Sequence, residues 1–200
     1  HANIQVTPEG ENSIVLFGGA NQTITESDID EALEEAHSGE FLLIQNEISA
    51  LDYLIDRACE KEMRVVFNAA PMSKDVNALP LEAIELLVIN EIEGFELTKK
   101  TVPDEIITTL SSRFTDTNIL LTLGAAGSIY AGRGDSVFQP ARKVDAVDTT
   151  AAGDTYVGFF LAGYSAGNSV EECLALATSA AAMCVMRAGA ATSIPGLHEL

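Results

Sequence analysis

Short, uniformly apolar segments alternate with helical segments through the middle of the chain, and this pattern constrains the fold most. The apolar segments are residues 41–44, 64–67, 85–89 and 118–122, and helical patterns cover residues 48–61 and 103–114. Strands that are apolar on both faces must be covered on both faces, as in a parallel sheet between helices. The sequence therefore predicts an α/β fold, a three-layer αβα arrangement around a mostly parallel central sheet.

Polar residues and a glycine follow these strands where each strand ends. In open parallel sheets, ligands bind beyond the carboxyl ends of the strands. The residues expected at that edge are Gln45, Glu47, Asn68, Asn90, Glu93, Thr122 and Gly124.

The flanking segments complete one predicted domain over residues 1–200. Residues 4–6 and 14–17 read as a hairpin with a turn at 8–12. Thr25 and Asp28 form a predicted capping box that opens an acidic helix ending at Gly39. After residue 125 come short strands with turns at Gly127 and at 132–134, and then two alanine-rich helices at 153–166 and 169–187.

The charge balance argues against nucleic acid as a partner. The chain has 30 acidic and 11 basic residues, whereas nucleic-acid binding needs clustered Lys and Arg. A nucleotide is still possible, because amides at a helix N-terminus can hold phosphates on an acidic protein. The excess of Asp and Glu is otherwise explained by a soluble surface.

The cysteines and the hydropathy suggest where the protein works. Cys59, Cys173 and Cys184 are scattered through apolar helical stretches, which favours reduced thiols in a cytoplasmic protein. No apolar run approaches the roughly 20 residues of a membrane helix, so no membrane partner is expected. The first residue is His1, so targeting cannot be judged.

Residues 148–154, with the sequence DTTAAGD, join a strand to a helix and carry the predicted chemistry. Small residues at 151–153 let an anion approach backbone amides at the positive end of a helix. Asp154, in the first turn, could accept a proton from an attacking hydroxyl while the amides stabilise a transferring phosphoryl group. The alternative is that Asp148 or Thr149 caps the helix and Asp154 complements its dipole.

The same segment resembles a signature of the ribokinase-like (pfkB-type) carbohydrate kinases, D-T-x-[GA]-A-G-D. Other segments appear in that family's order: NAAP at 68–71, NEIE at 90–93, TLGAAG at 122–127 and CVMRAGAATSIP at 184–195. The resemblance covers essentially the whole chain. Within the family, the chain is most similar to the ribokinases. The resemblance implies ATP-dependent phosphorylation of a sugar hydroxyl.

The resemblance implies a role for each matching residue. Asp154 would be the catalytic base and would also contact the sugar, and Ala151, Ala152 and Gly153 would form the anion hole. Asn90 and Glu93 would organise Mg²⁺ and the nucleotide phosphates, with Glu93 acting on the metal indirectly. Thr122, Gly124 and Gly127 would form the nucleotide-binding turn, and Glu47 would contact the sugar. A K⁺ loop would use, mostly through backbone carbonyls, Asp148, Thr150, Cys184, Arg187, Gly189 and Ser193.

Several of these residues also have a purely structural interpretation. Glu47 could be a solvated residue at a helix start, and Asn90 with Glu93 could cap the segment after a strand. Cys184 suits a small core position, and Gly124 and Gly127 suit any tight turn. The Arg-Gly-Asp tripeptide at 133–135 resembles an adhesion motif, and residues 21–23 match an N-glycosylation sequon. Both matches are attributed to chance in a cytoplasmic protein.

The family's N-terminal portion, with its first strands and a sugar-gripping Asp, has no match here. Gly18–Asn21 does not replace it. The resemblance therefore implies a truncated protein, a proteolytic product or a defective gene, in which residues 1–20 are strands and return loop of a lid. Those strands would expose pairing edges, and the intact protein is expected to be a homodimer.

The leading hypothesis is an ATP-dependent sugar kinase that needs ATP, Mg²⁺ and a monovalent cation. Three alternatives change only the substrate, to fructose, a keto-deoxy sugar acid or a nucleoside. Because the sugar-gripping portion has no match, the resemblance also implies that residues 1–200 alone could bind nucleotide yet fail to phosphorylate a sugar. A further alternative is a non-catalytic fragment that binds nucleotide or sugar.

Overall fold

The computed structural model describes residues 2–6, 12–132 and 134–200. Its strands are β1 Ala2–Val6, β2 Asn12–Leu16, β3 Phe41–Gln45, β4 Arg64–Asn68, β5 Leu86–Asn90, β6 Asn118–Thr122, β7 Gly127–Gly132 and β8 Asp135–Pro140. Its α-helices are α1 Glu26–Ala32, α2 Leu51–Glu60, α3 Glu91–Thr98, α4 Pro103–Arg113, α5 Ala152–Ser165 and α6 Val170–Val185.

Six strands form the main sheet in the order β3-β4-β5-β6-β7-β8. β3 pairs with β4 in parallel, with Gln45 opposite Asn68, and β4 pairs with β5 in parallel, with Asn68 opposite Val88. Because these strands share one direction, their carboxyl ends lie at one edge. The predicted three-layer αβα fold with a mostly parallel sheet is confirmed.

The central strands form the core because both of their faces are apolar. Val66 and Phe67 of β4, Leu86 and Leu87 of β5, and the Ile119–Leu121 run of β6 have no exposed surface. Helix α2 lays Leu54, Ile55 and Ala58 on one face, at the i, i+1, i+4 spacing of an amphipathic helix.

Tertiary contacts divide the chain into two compact units. The first unit contains residues 17–121 and 130–136, and the second contains 2–16, 122–129 and 137–200. In the second unit, α5 and α6 pack on each other, and Phe160 of α5 and Leu174 and Ala177 of α6 have no exposed surface. The prediction that residues 1–200 form one nucleotide-binding and catalytic domain stays a prediction.

Two helix boundaries differ from those expected, and one helix was not predicted. α1 has the predicted Thr25–Asp28 capping box but ends at Ala32, since an acidic last turn is unfavourable at the negative end of a helix. α2 begins at Leu51 because Ala50 is left-handed, with φ 55°. α3 was not predicted as a helix, because Gly94 in its middle is unfavourable in helices. The structure explains this glycine by packing, since a Cβ there would lie 2.9 Å from Ile106 of α4.

The predicted hairpin is present as the antiparallel pair β1 and β2, with Ile4 opposite Ile14. Among the described strands these two pair only with each other. Val15 and Phe17 are 68% and 69% exposed. Most of the predicted turn at 8–12, and Arg133 of the tripeptide, lie outside the described residues.

None of the described helices combines the length and apolar character needed to cross a bilayer.

Candidate functional site

The start of α5 is built from a left-handed residue followed by small residues. Ala151, with φ 62°, is the N-cap, and among the described residues no side chain caps the helix. Gly153 and Asp154 are exposed, and a Cβ on Gly153 would meet no described atom within 4 Å. First-turn amides have no acceptor inside their own helix, so this uncapped helix start suits an anion.

Asp148 does not cap α5, so the capping part of that structural alternative is wrong, whereas Asp154 does lie in the first turn, where it can complement the helix dipole. Asp148 Oδ1 accepts a hydrogen bond of 2.9 Å from the amide of Thr150, and its Oδ2 accepts one of 3.0 Å from the amide of Gly189. The Gly189 amide, followed by Thr150, lowers the pKa of this carboxyl. Thr149 contributes no side-chain cap; its carbonyl accepts from the Ala152 amide. Asp148 therefore ties the loop before α5 to the segment after α6.

The residue that donates its amide to Asp148 Oδ2 from the segment after α6 must be a glycine, Gly189. Its φ is +109°, and a Cβ there would lie 2.6 Å from Thr192 Oγ1. The left-handed region disfavours residues with a Cβ, so only glycine presents its amide to Asp148 without strain.

A second contact joins the same two segments through buried side chains. Cys184 Sγ lies 3.1 Å from Ser193 Oγ and 3.8 Å from the carbonyl oxygen of Thr150. Cys184 and Ser193 have no exposed surface, so the structural interpretation of Cys184 as a core residue holds. Five of the six residues predicted for the cation loop are thus linked by contacts.

Arg187, the sixth, directs its guanidinium to Glu199. This pairing raises the pKa of Arg187 and lowers the pKa of Glu199 to about 2. Only the backbone of Arg187 is then available to the loop, and its amide donates to the Cys184 carbonyl at 3.0 Å.

The segment Thr122–Gly127 forms a tight turn in the second unit. Gly124–Ala126 is a single 3-10 turn, closed by a 2.8 Å hydrogen bond from the Leu123 amide to the Gly127 carbonyl. Gly124 is exposed and has no described atom within 4 Å of its Cβ position, whereas a Cβ on Gly127 would lie 2.1 Å from the Gln139 carbonyl oxygen. The turn is therefore open on one side and closely packed on the other.

In the first unit, Asn90 and Glu93 bind each other at the carboxyl end of β5. Asn90 Oδ1 accepts from the amides of Ile92 and Glu93, while the Glu93 carboxylate accepts from the Asn90 amide at 2.7 Å and from Asn90 Nδ2 at 3.1 Å. The two residues thus form the capping box of α3, as their structural interpretation predicted. Glu93 is 4% exposed, and burial raises its pKa against the lowering effect of the Asn90 bonds.

Glu47 lies in the turn after β3 and is exposed. Its carbonyl accepts a 2.9 Å bond from Gln22 Nε2, and α2 begins only at Leu51. Its carboxylate is therefore neither at a helix start nor buried.

Two residues whose side-chain hydrogen bonds stabilise segments near the candidate site were not predicted from the sequence. Asn46 Nδ2 donates to the Pro71 carbonyl at 2.6 Å and to Ser73 Oγ at 3.1 Å, which joins the loops after β3 and β4. Tyr156 of α5 contacts Ser128 of β7 at 2.6 Å. Asn46 could have been found because it follows Gln45, one of the polar residues expected at the carboxyl end of a strand. No spacing pattern in the sequence indicates Tyr156.

The described residues suit the predicted K⁺ better than they suit direct binding of the predicted Mg²⁺. The described residues contain no cluster of three His, Cys, Asp or Glu side chains that could hold a metal. The carbonyls and the Asp148 carboxylate of the 148–150 and 184–193 segments are hard oxygen donors of the kind K⁺ accepts. Glu93 is too buried and too fully engaged by Asn90 to act as a direct Mg²⁺ ligand, which agrees with an indirect role.

Comparison with known proteins places the chain among sugar kinases. A model of the pfkB family of carbohydrate kinases matches residues 2–197. The ribokinase of Staphylococcus aureus is 32% identical, over 100% of this chain and 67% of the relative. The structure of a Thermotoga maritima ribokinase is 32% identical with a TM-score of 0.82, over 99% of this chain and 67% of its own.

An Arabidopsis thaliana ribokinase, solved in complex with ribose and ATP, is 28% identical with a TM-score of 0.81, over 98% of this chain and 65% of its own. The chain spans about two thirds of the length of these relatives. The resemblance predicted from the motifs is confirmed, and the chain belongs to the pfkB family of carbohydrate kinases.

Proposed function

We propose that this chain carries the nucleotide-binding and catalytic part of an ATP-dependent sugar kinase, with Asp154 as the catalytic base. The observation that carries the proposal is the start of α5, where an exposed carboxylate stands in the first turn of a helix that no described side chain caps. A positive helix end beside a carboxylate suits a phosphoryl group and an attacking hydroxyl together.

The proposed reaction is an in-line phosphoryl transfer. The sugar hydroxyl oxygen forms a bond to the γ-phosphorus, the bond from that phosphorus to the ADP oxygen breaks, and Asp154 takes the hydroxyl proton. The amides of Ala151, Ala152 and Gly153 stabilise the charge on the transferring group, because such preorganised donors need no reorganisation during the reaction.

The remaining roles follow the same proposal. Thr122, Gly124 and Gly127 bind the nucleotide through the open side of their turn. Asn90 and Glu93 hold the first turn of α3, and from there they would position Mg²⁺ and the phosphates indirectly; Mg²⁺, when bound, would supply positive charge to the phosphates. A monovalent cation, K⁺, would be held mostly by backbone carbonyls of Asp148, Thr150, Cys184, Arg187, Gly189 and Ser193.

Ribose is the favoured substrate, since a relative of this chain was solved with ribose and ATP. Glu47, which is exposed after β3, is proposed to contact the sugar. Fructose, a keto-deoxy sugar acid and a nucleoside remain the competing substrates. A homodimer and a cytoplasmic location stay predictions; the free cysteines Cys59, Cys173 and Cys184 suit a reducing compartment.

The proposal is tested with Asp154→Asn, measured against Asp145→Asn as a matched control. Asp145 is also exposed and lies in the same unit, so both variants lose one charge. ADP release is followed with saturating MgATP, ribose and K⁺, and the ATP dissociation constant is measured by calorimetry. A general base contributes about 100- to 10,000-fold, so Asp154→Asn should lose that much kcat and keep ATP affinity within about threefold.

Two results would count against the proposed kinase function. Equal turnover by Asp154→Asn and the unsubstituted chain would remove Asp154 as the base. ATP binding without turnover by the unsubstituted chain would favour the second candidate, a nucleotide-binding fragment, which the unobstructed turn at Gly124 also supports.

A further inference from the structure

A buried pair of hydroxyl groups connects two parts of the second unit that the proposed reaction must align. Ser128 Oγ and Tyr156 Oη lie 2.6 Å apart. Ser128 has no exposed surface and Tyr156 is 8% exposed. Ser128 follows Gly127 of the nucleotide-binding turn directly, and Tyr156 is two residues beyond Asp154 in α5.

The helix geometry gives Tyr156 and Asp154 different tasks. Residues two apart in an α-helix point about 200° from each other, so the exposed Asp154 carboxylate faces away from the buried Tyr156 ring. The tyrosine cannot touch the reacting atoms from there, but it fixes the rotation and height of the first turn that carries the base.

The other partner of the hydrogen bond is held just as firmly. The backbone at Gly127 packs so closely against Gln139 and Ala141 that a Cβ would lie 2.1 Å from one oxygen and 2.9 Å from one nitrogen. Ser128 is the next residue, so it cannot move without breaking this packing. The hydrogen bond therefore joins the helix to a fixed point on the turn.

We propose that Ser128 and Tyr156 are positioning residues, whose hydrogen bond holds Asp154 in register with the nucleotide-binding turn. The inference rests on the proposed kinase function. Displacement of a reacting group by about 1 Å can cost about 100-fold in rate, so a single bond at this place can influence turnover without contacting either substrate.

The bond should act identically across the working pH range. Burial raises the pKa of Tyr156, although the hydroxyls of Ser128 and Thr178 partly offset this effect. Tyr156 and Ser128 therefore both remain neutral hydroxyls at neutral pH, and their loss should leave the shape of the pH–rate profile unchanged.

The test uses Tyr156→Phe and Ser128→Ala, singly and together, in the 200-residue chain. Tyr164→Phe is the matched control, since it removes a tyrosine hydroxyl further along α5 while keeping the ring that stacks on Phe160 at 5.6 Å. The readouts are kcat and the ATP KM, both taken well below the midpoint of thermal unfolding of each variant.

Each single variant should lose about tenfold in kcat with less than a threefold change in the ATP KM. The double variant should lose no more than Tyr156→Phe alone, because Ser128→Ala removes a hydrogen bond that the phenylalanine has already lost. Tyr164→Phe should retain the original kcat. A purely structural bond would lower the unfolding midpoint and leave kcat unchanged.

The failures can be told apart. Unchanged kcat in Tyr156→Phe, or losses that multiply in the double variant, would overturn this inference alone. No turnover by the unsubstituted chain would overturn the proposed function and this inference with it.

Discussion

At the scale of single residues, Gly127 and Gly158 show how similar substitutions can have opposite results. Gly127 has φ 123° and ψ −134°, a region that is strained for residues with a Cβ, and its Cβ position is 2.1 Å from the Gln139 carbonyl oxygen. Gly158 lies inside α5 with no described atom within 4 Å of its Cβ position.

Gly127→Ala should lower the free energy of unfolding by about 2 kcal/mol or more, from backbone strain and overpacking together. Gly158→Ala should raise it by about 0.5–1 kcal/mol, because alanine is the better helix former. Urea unfolding of both variants checks this pair. Equal effects of the two substitutions would contradict the packing described for the turn.

The residues of the candidate site were predictable where chemistry and backbone shape leave a mark in the sequence. Asp154 was placed correctly in the first turn of α5, since small residues before a carboxylate mark such a helix start. Tyr156 and Asn46 were not, because their partners Ser128 and Ser73 are 28 and 27 residues away. Contacts of that separation depend on tertiary packing.

At the scale of elements, α3 depends on the Asn90–Glu93 capping box. Glu93 is buried and its pKa is raised, so the folded state holds its proton more tightly than the unfolded state does. Its contribution to stability is therefore fully present below the unfolded pKa and is lost as the pH rises through the folded pKa.

Glu93→Gln should consequently gain stability relative to the unsubstituted chain as the pH rises from 4 toward 7.5. The Gln oxygen can still accept from the Asn90 amide, while the buried charge is gone. Urea midpoints across this pH range measure the difference, with Glu91→Gln, exposed in the same first turn, as the control for loss of charge. A difference that shrinks with rising pH would contradict the raised pKa of the buried Glu93 carboxyl.

Element types were more predictable than element ends. The strands at 64–68 and 118–122 were found because a buried strand is apolar throughout. The strand at 41–45 is equally apolar, although it lies at the edge of the sheet and its Leu43 is 47% exposed. The start of α2 was misplaced because nothing in the sequence marks Ala50 as left-handed. The helix α3 was missed because Gly94, whose Cβ position is filled by Ile106, reads as a helix breaker.

At the scale of the whole molecule, the chain combines an acidic composition with a proposed site for an anionic ligand. Its net charge is −19, so no broad positive field draws phosphate toward it. Phosphate binding must then depend on local backbone amides, which is what the uncapped start of α5 offers. The fold class followed from strand pattern alone, whereas the anion site needed both the small residues and the helix.

Amide chemical shifts during a titration with MgATP test this central claim most directly. We expect the amides of Ala151, Ala152 and Gly153 to shift strongly and to saturate with one dissociation constant, while adenosine, which lacks phosphates, leaves them unmoved. Saturable MgATP binding that leaves these three amides unshifted, or no binding at millimolar ATP, would contradict it.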